Sequence, residues 1–143
     1  MRAAAAALLL VLALAEPAFA ADKVVKLTLD GRPVDRQGGI ALAHQGVVYA
    51  DVVDLVKVFN GLLTLHGNTV VVTVSGTTAA FTAGSRTAHL GEYAATMRGQ
   101  AFRRNGDLYV PLDFFVTQVA HAHVRFDPSL SRANITVDAN PVS

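Results

Sequence analysis

Two stretches decide how this chain folds. One is Gly46-Val47-Val48-Tyr49-Ala50-Asp51-Val52-Val53-Asp54-Leu55-Val56, and the other, sixty residues on, is Gly106-Asp107-Leu108-Tyr109-Val110-Pro111-Leu112-Asp113-Phe114-Phe115-Val116. They share Gly, Tyr and the closing Val, and beyond identity they share an order: a turn glycine, a short strand reaching Tyr, then an apolar helical stretch. Asn105-Gly106 is the dipeptide that two-residue hairpins prefer, because both positions accept positive φ, and Gln45-Gly46 is a weaker form of the same turn.

The helices follow from their starts and stops. Asp51 is an N-cap, and Val52, Leu55, Val56 and Phe59 recur on one helical face, with Gly61 as the left-handed stop after Asn60. In the second stretch Pro111 suits the first helical position, where no N–H is needed, and Leu112, Phe115, Val116 and Val119 make the matching stripe. About three turns are expected of each. A helix that short is not stable alone, so each must dock on a sheet. Tyr49 and Tyr109 recur at equivalent positions and read as core or helix-docking residues.

Strands surround the helices. Val24 to Leu29 precedes Asp30-Gly31, and Ile40 to Ala43 pairs with Val47 to Tyr49. Leu62 to His66 and Thr69 to Val74 flank Gly67-Asn68, while Ala122 to Asp127 and Ala133 to Val137 flank a polar turn. Further strands are expected over Thr78 to Ala83, Thr87 to Leu90 and Tyr93 to Arg104. The fold expected is α+β: two degenerate β-β-α-β-β copies, over roughly 24–76 and 78–138, with short antiparallel strands packed on two short helices. One irregularity stands out. At the constant offset Thr64 and His66 fall opposite Val124 and Phe126, although Leu63 and Leu65 look like the inward residues, so a one-residue shift after the first helix is expected.

Composition narrows the function. Of 143 residues, 12 are Lys or Arg and 11 Asp or Glu, for a formal charge of +1, and Cys and Trp are absent. No disulfide, thiolate metal site or cysteine nucleophile can form, and near-neutral charge leaves no basic footprint for nucleic acid. Met1-Arg2, an apolar run from Ala3 to Ala15, and Ala18-Phe19-Ala20 have the three parts of a secretory signal peptide over residues 1–20, with cleavage expected after Ala20. That run is shorter than the ~20 residues a spanning helix needs, so no membrane span is expected after cleavage. The expected location is the periplasm or cell envelope.

Leu29-Asp30-Gly31-Arg32-Pro33-Val34, Gly106-Asp107-Leu108-Tyr109-Val110-Pro111-Leu112, Val124-Arg125-Phe126-Asp127 and Asn134-Ile135-Thr136-Val137 together resemble the copper amine oxidase N-terminal-like domain. The second copy carries the resemblance well and the first weakly. Three departures stand: Asp113 replaces the Arg that follows Pro-Leu in the family, Asp51 replaces Pro in the first copy, and His121 occupies the position of the Gly that ends the helix. The resemblance implies a stalk-like accessory module of exported bacterial proteins that holds no copper and performs no amine oxidation. It implies an envelope role without catalysis and without a cofactor, the partner being a cell-wall polymer or an envelope protein.

The residues themselves offer few other chemistries. His121-Ala122-His123, if in one strand, turns both imidazoles to one face, where two neutral nitrogens could hold Cu(II) or Zn(II) with a third ligand from His44, His66 or His89. That makes a periplasmic copper or zinc binding protein the alternative reading, against the plainer one of surface histidines at a helix-to-strand junction. Beyond the leader the single Glu is Glu92, and Asp30, Asp51, Asp107 and Asp127 occupy turn and cap positions. Asp54 and Asp113 complement helix dipoles. Ser75 and Ser85 lack a strand-to-helix nucleophile elbow. Arg98, Phe102, Arg103 and Arg104 form a local basic cluster that could meet an anionic glycan or teichoic polymer, or else form a solvated hairpin face.

Overall fold

In the computed structural model, which describes residues 22–34 and 40–137, thirteen strands form two sheets with two short helices between them. The predicted leader lies outside the described residues. Chain order begins with β1 (Lys23–Leu29), β2 (Arg32–Pro33), β3 (Ala41–His44), β4 (Val47–Asp51) and helix α1 (Val52–Val58). A meander follows: β5 (Leu62–His66), β6 (Thr69–Val74), β7 (Thr77–Thr82), β8 (Thr87–Leu90) and β9 (Tyr93–Thr96). Then come β10 (Phe102–Arg104), β11 (Asp107–Pro111), helix α2 (Leu112–Phe114) continuing into a π-turn (Phe115–Val119), β12 (His123–Phe126) and β13 (Arg132–Thr136). The fold is mostly sheet with two short helices, in agreement with the α+β expectation.

The larger sheet runs β10-β11-β4-β3-β1-β13-β12, with β2 on β1. Toward its β10 end the antiparallel strands β4 and β11 lie side by side, where Ala50 faces Val110. Strand β1 is shared: Lys23 to Val25 pair with β3, and Lys26 to Leu29 run parallel to β13, with Leu27 beside Ala133. One continuous core joins both sheets through the helices. Val48, Ala50, Leu108 and Val110 reach it from the larger sheet, and Val70, Val72, Ala79 and Phe81 from the meander. Leu55 and Phe115 reach it from the helices.

Turn chemistry is where local sequence and structure agree most closely. Asp30-Gly31, Gln45-Gly46 and Asn105-Gly106 each hold two successive residues at positive φ, as two-residue hairpins on right-twisted strands require.

The helices depart from expectation in three ways. Each is about two turns long, shorter than its apolar stripe suggests. Pro111 closes β11 at φ −56° and the helix opens at Leu112, one residue later than predicted. The left-handed stop of α1 is Asn60, at φ +56°, and Gly61 serves a different purpose. A Cβ there would lie 2.6 Å from the Thr73 carbonyl oxygen and from Val74 Cγ2, so glycine lets the chain pass against β6. Gly61→Ala should therefore lower stability by about 1–3 kcal/mol, read as a lower urea midpoint, and an unchanged midpoint would refute the crowding.

The two helices end with different spacing. After α1 the Gly61 N–H donates to the Val56 carbonyl at 2.8 Å, and after α2 the Ala122 N–H donates to the Val116 carbonyl at 2.8 Å. The second helix thus holds one more residue between matching groups. His121 at φ +55° follows the second helix, as Asn60 at φ +56° follows the first. Beyond the helices the two hairpins diverge: β5 and β6 begin the meander, whereas β12 and β13 join β1. Leu63 is partly buried against the core, but Leu65, expected inside, is 63% exposed on the edge strand β5.

Candidate functional site

Alternation along β4 sends Val48 and Ala50 toward the helices and Tyr49 to the opposite face of the sheet. The same holds for Tyr109 between Leu108 and Val110. The two tyrosines therefore do not dock the helices; they build a second apolar cluster with Leu42, flanked by Val47 and Phe102, on the outer face. The Phe102 ring stacks on Tyr109 at 5.5 Å between centroids and meets Tyr49 at 4.7 Å and His44 at 4.5 Å.

The loop from Met97 to Ala101 crosses this cluster. The Tyr49 hydroxyl donates to the Gln100 carbonyl at 3.0 Å, and burial raises its pKa above the ordinary phenol value. Gly99 passes so close that a Cβ would fall 2.1 Å from that hydroxyl. His44, Gln45, Tyr49, Arg98, Gln100 and Phe102 line an open groove along the loop.

Charges at its rim are paired. The Asp22 carboxylate accepts from His44 Nδ1 at 2.9 Å and from Arg104 Nη2. Burial alone would raise the Asp22 pKa, but the bonds from His44 and Arg104 outweigh it and hold the carboxyl below its usual value. The Arg104 guanidinium also lies 5.5 Å from the Phe102 ring centre. Arg98 Nε stands 3.3 Å from Asp113 Oδ2, so the carboxylate that replaces the expected Arg after Pro-Leu has a cation beside it.

The sequence cluster Arg98, Phe102, Arg103 and Arg104 is thus only partly brought together. Phe102 and Arg104 share the outer face and Arg98 reaches it from the loop, but Arg103, one residue out of phase, donates to the Gly67 carbonyl at 3.2 Å. Asp22 and His44 were not singled out together as partners of this face. Period-two alternation in β3 places His44 on the side of Leu42, a readable signal; nothing in the sequence ties Asp22 to it.

The histidines are dispersed. His121 follows the π-turn and its Nε2 lies 2.5 Å from Thr77 Oγ1, while β12 begins only at His123. The same-face argument, which needs both residues in one strand, does not apply to them. His44 is bonded to Asp22, His66 ends β5 and His89 lies within β8. Among the described residues no three His, Asp or Glu side chains are grouped to hold a metal ion.

The carboxylates hold backbone. Asp51, only 2% exposed, accepts from the Val53 N–H at 2.9 Å as the N-cap of α1. Its burial, together with the neighbouring Asp107 and Asp54 carboxyls, pushes its pKa up to about 6 against the pull of that N–H. Asp127 accepts from the Ser129 hydroxyl, the Arg132 N–H and both the hydroxyl and N–H of Ser131, which hold its pKa far below the ordinary value. Asp30 accepts from the Val137 N–H. Ser85 turns its hydroxyl to Thr87.

What these residues define is a small α+β module whose carboxylates and hydroxyls serve turns and caps. The chain belongs to the copper amine oxidase N-terminal domain family, whose model matches residues 23–135. In that family the domain is an accessory, non-catalytic module. No curated protein and no solved structure matches the chain. Among the described residues no helix is long and apolar enough to cross a membrane.

Proposed function

We propose that this protein is an exported, non-catalytic module of the cell envelope that binds wall polymer or scaffolds an envelope protein, and that it is built from two diverged copies of one β-β-α-β-β unit. The observation that carries the reading is the match to an accessory domain over nearly all of the described chain. A secretory leader pattern before it supports export. The repeat is supported by paired positive-φ turns at Gln45-Gly46 and Asn105-Gly106, by the juxtaposition of β4 and β11, and by the one-residue π-turn that brings the later positions back into step.

The test is co-sedimentation of the purified chain with isolated cell-wall sacculi at low and moderate salt, beside a soluble control protein. Pelleting that survives moderate salt is the expected result for a wall-binding module. A chain that stays in the supernatant at both salt concentrations would remove wall affinity and leave the protein-scaffold half of the reading.

A further inference from the structure

The β1-β13-β12 ribbon carries a polar face. Ala133 and Ile135 of β13 and Leu27 of β1 point into the core, so alternation turns Lys26 and Thr28 of β1, Arg132, Asn134 and Thr136 of β13 and Arg125 of β12 outward. The register confirms a shared face: Lys26 is the partner of Arg132, Thr28 of Asn134, and Arg125 of Asn134. Thr28 Oγ1 and Asn134 Oδ1 are bonded across it at 2.6 Å. A depression lined by His123, Val124, Arg125, Asn134 and Thr136 lies over the hairpin.

Three cations separated by up to about a hundred residues in sequence thus converge on one flat surface. Neighbouring strands are about 4.8 Å apart and successive outward residues about 7 Å, so Lys26, Arg132 and Arg125 lie within reach of one extended anionic chain. Among the described residues none of these three side chains forms an ion pair. Among the described residues Asp127 is engaged by the Ser129–Arg132 turn and Asp30 by the Val137 N–H. Lys26 directly beside Arg132 is a like-charge cross-strand pair, which costs stability.

We infer that this face binds an anionic glycan, a sugar chain bearing carboxylate or phosphate groups. The arginine forks and Lys26 supply the charge-assisted contacts, and Thr28, Asn134 and Thr136 supply hydroxyl and amide groups suited to sugar hydroxyls. The strand positions on the face carry no aromatic ring on which a base would stack. Beside the cations they carry polar side chains, with no apolar row to enter a lipid surface. The inference stands on charge and register; only the polymer's place in the envelope rests on the reading above.

Affinity electrophoresis in native gels containing polygalacturonate, with neutral dextran in parallel gels, tests it. The protein should be retarded by polygalacturonate and not by dextran. Arg125→Gln/Arg132→Gln should weaken retardation at least tenfold, and Lys23→Gln/Lys57→Gln, which removes the same charge elsewhere, should stay within twofold of the parent. Equal losses in the two double variants would mean that net charge alone acts, and equal retardation by dextran would mean that charge does not; either overturns the assignment. So would no retardation, or tighter binding to vesicles of anionic phospholipid than to polygalacturonate. Thermal unfolding guards against misfolding: relief of the like-charge pair predicts an unchanged or higher midpoint for Arg125→Gln/Arg132→Gln. Retention of polygalacturonate without sacculus pelleting would sink the wall-binding reading and leave this face standing.

Discussion

Phe115→Ala should cost this protein about 3–5 kcal/mol, the largest loss expected of a single side chain. The Phe115 ring is fully buried, stacks on Phe81 of the meander at 6.1 Å between centroids, and meets Phe59 at the end of α1 at 6.1 Å. It therefore touches the second sheet and the other helix from its own place in the π-turn. A small domain has about 5–15 kcal/mol of stability in all, so the variant should unfold at a much lower denaturant midpoint, and Phe115→Leu should recover most of the loss. A loss under about 1 kcal/mol would mean that the sheets are held together elsewhere and that the ring is incidental.

Asp51 should make stability fall as pH rises from about 4 to 6. Its carboxyl is pushed up to about 6 in the folded chain, from an ordinary value of 3.8, by burial first and by its acidic neighbours. Below pH 4 both states hold the proton and there is no penalty. Between 4 and 6 the unfolded chain releases it while the folded one keeps it, so unfolding is favoured progressively, by about 3 kcal/mol once pH exceeds 6. Asp51→Asn keeps a capping side chain for the Val53 N–H and should remove that slope, leaving the variant about 2–3 kcal/mol more stable than the parent at pH 7.5 and equal to it near pH 4. The lowered carboxyl of Asp127 has the opposite sign, its contribution being lost as pH falls below about 4, outside this window. Urea unfolding at pH 4.5 and 7.5 decides the matter; parallel pH slopes for parent and variant would show that Asp51 is not the group responsible.

Local chemistry was legible in the sequence and distant pairing was not. Leu62 to His66 and Thr69 to Val74 were read with the limits observed, because a hairpin is bounded by its own turn residues. Asp51 was legible as a cap for the same reason. The one-residue shift shows in the sequence as a mismatch of inward faces at Leu63 and Val124, but a π-turn has no composition of its own, so its place in the second helix does not show. Tyr49 and Tyr109 are buried, as the core half of the reading expects, but they do not dock the helices; repetition marks equivalence and not direction, which their neighbours Val48 and Val110 carry through alternation. The Asp22, His44 and Arg104 cluster and the Lys26, Arg132 and Arg125 face both depend on strand partners far apart in the chain, and no local pattern encodes which strand will lie beside which. Arg103 and Arg104 are contiguous in sequence, yet strand alternation sends those two side chains to opposite sides.

The parallel pairing of β1 with β13 has a mechanical meaning. The first long strand and the last run in the same direction, side by side, from Lys26–Arg132 to Leu29–Ile135. Tension that draws the start of β1 and the end of β13 apart slides the two strands along each other, so their hydrogen bonds resist together instead of opening one by one. A module that links two bodies would then carry load in its strongest direction, with the clamp formed by two neighbouring strands inside the sheet.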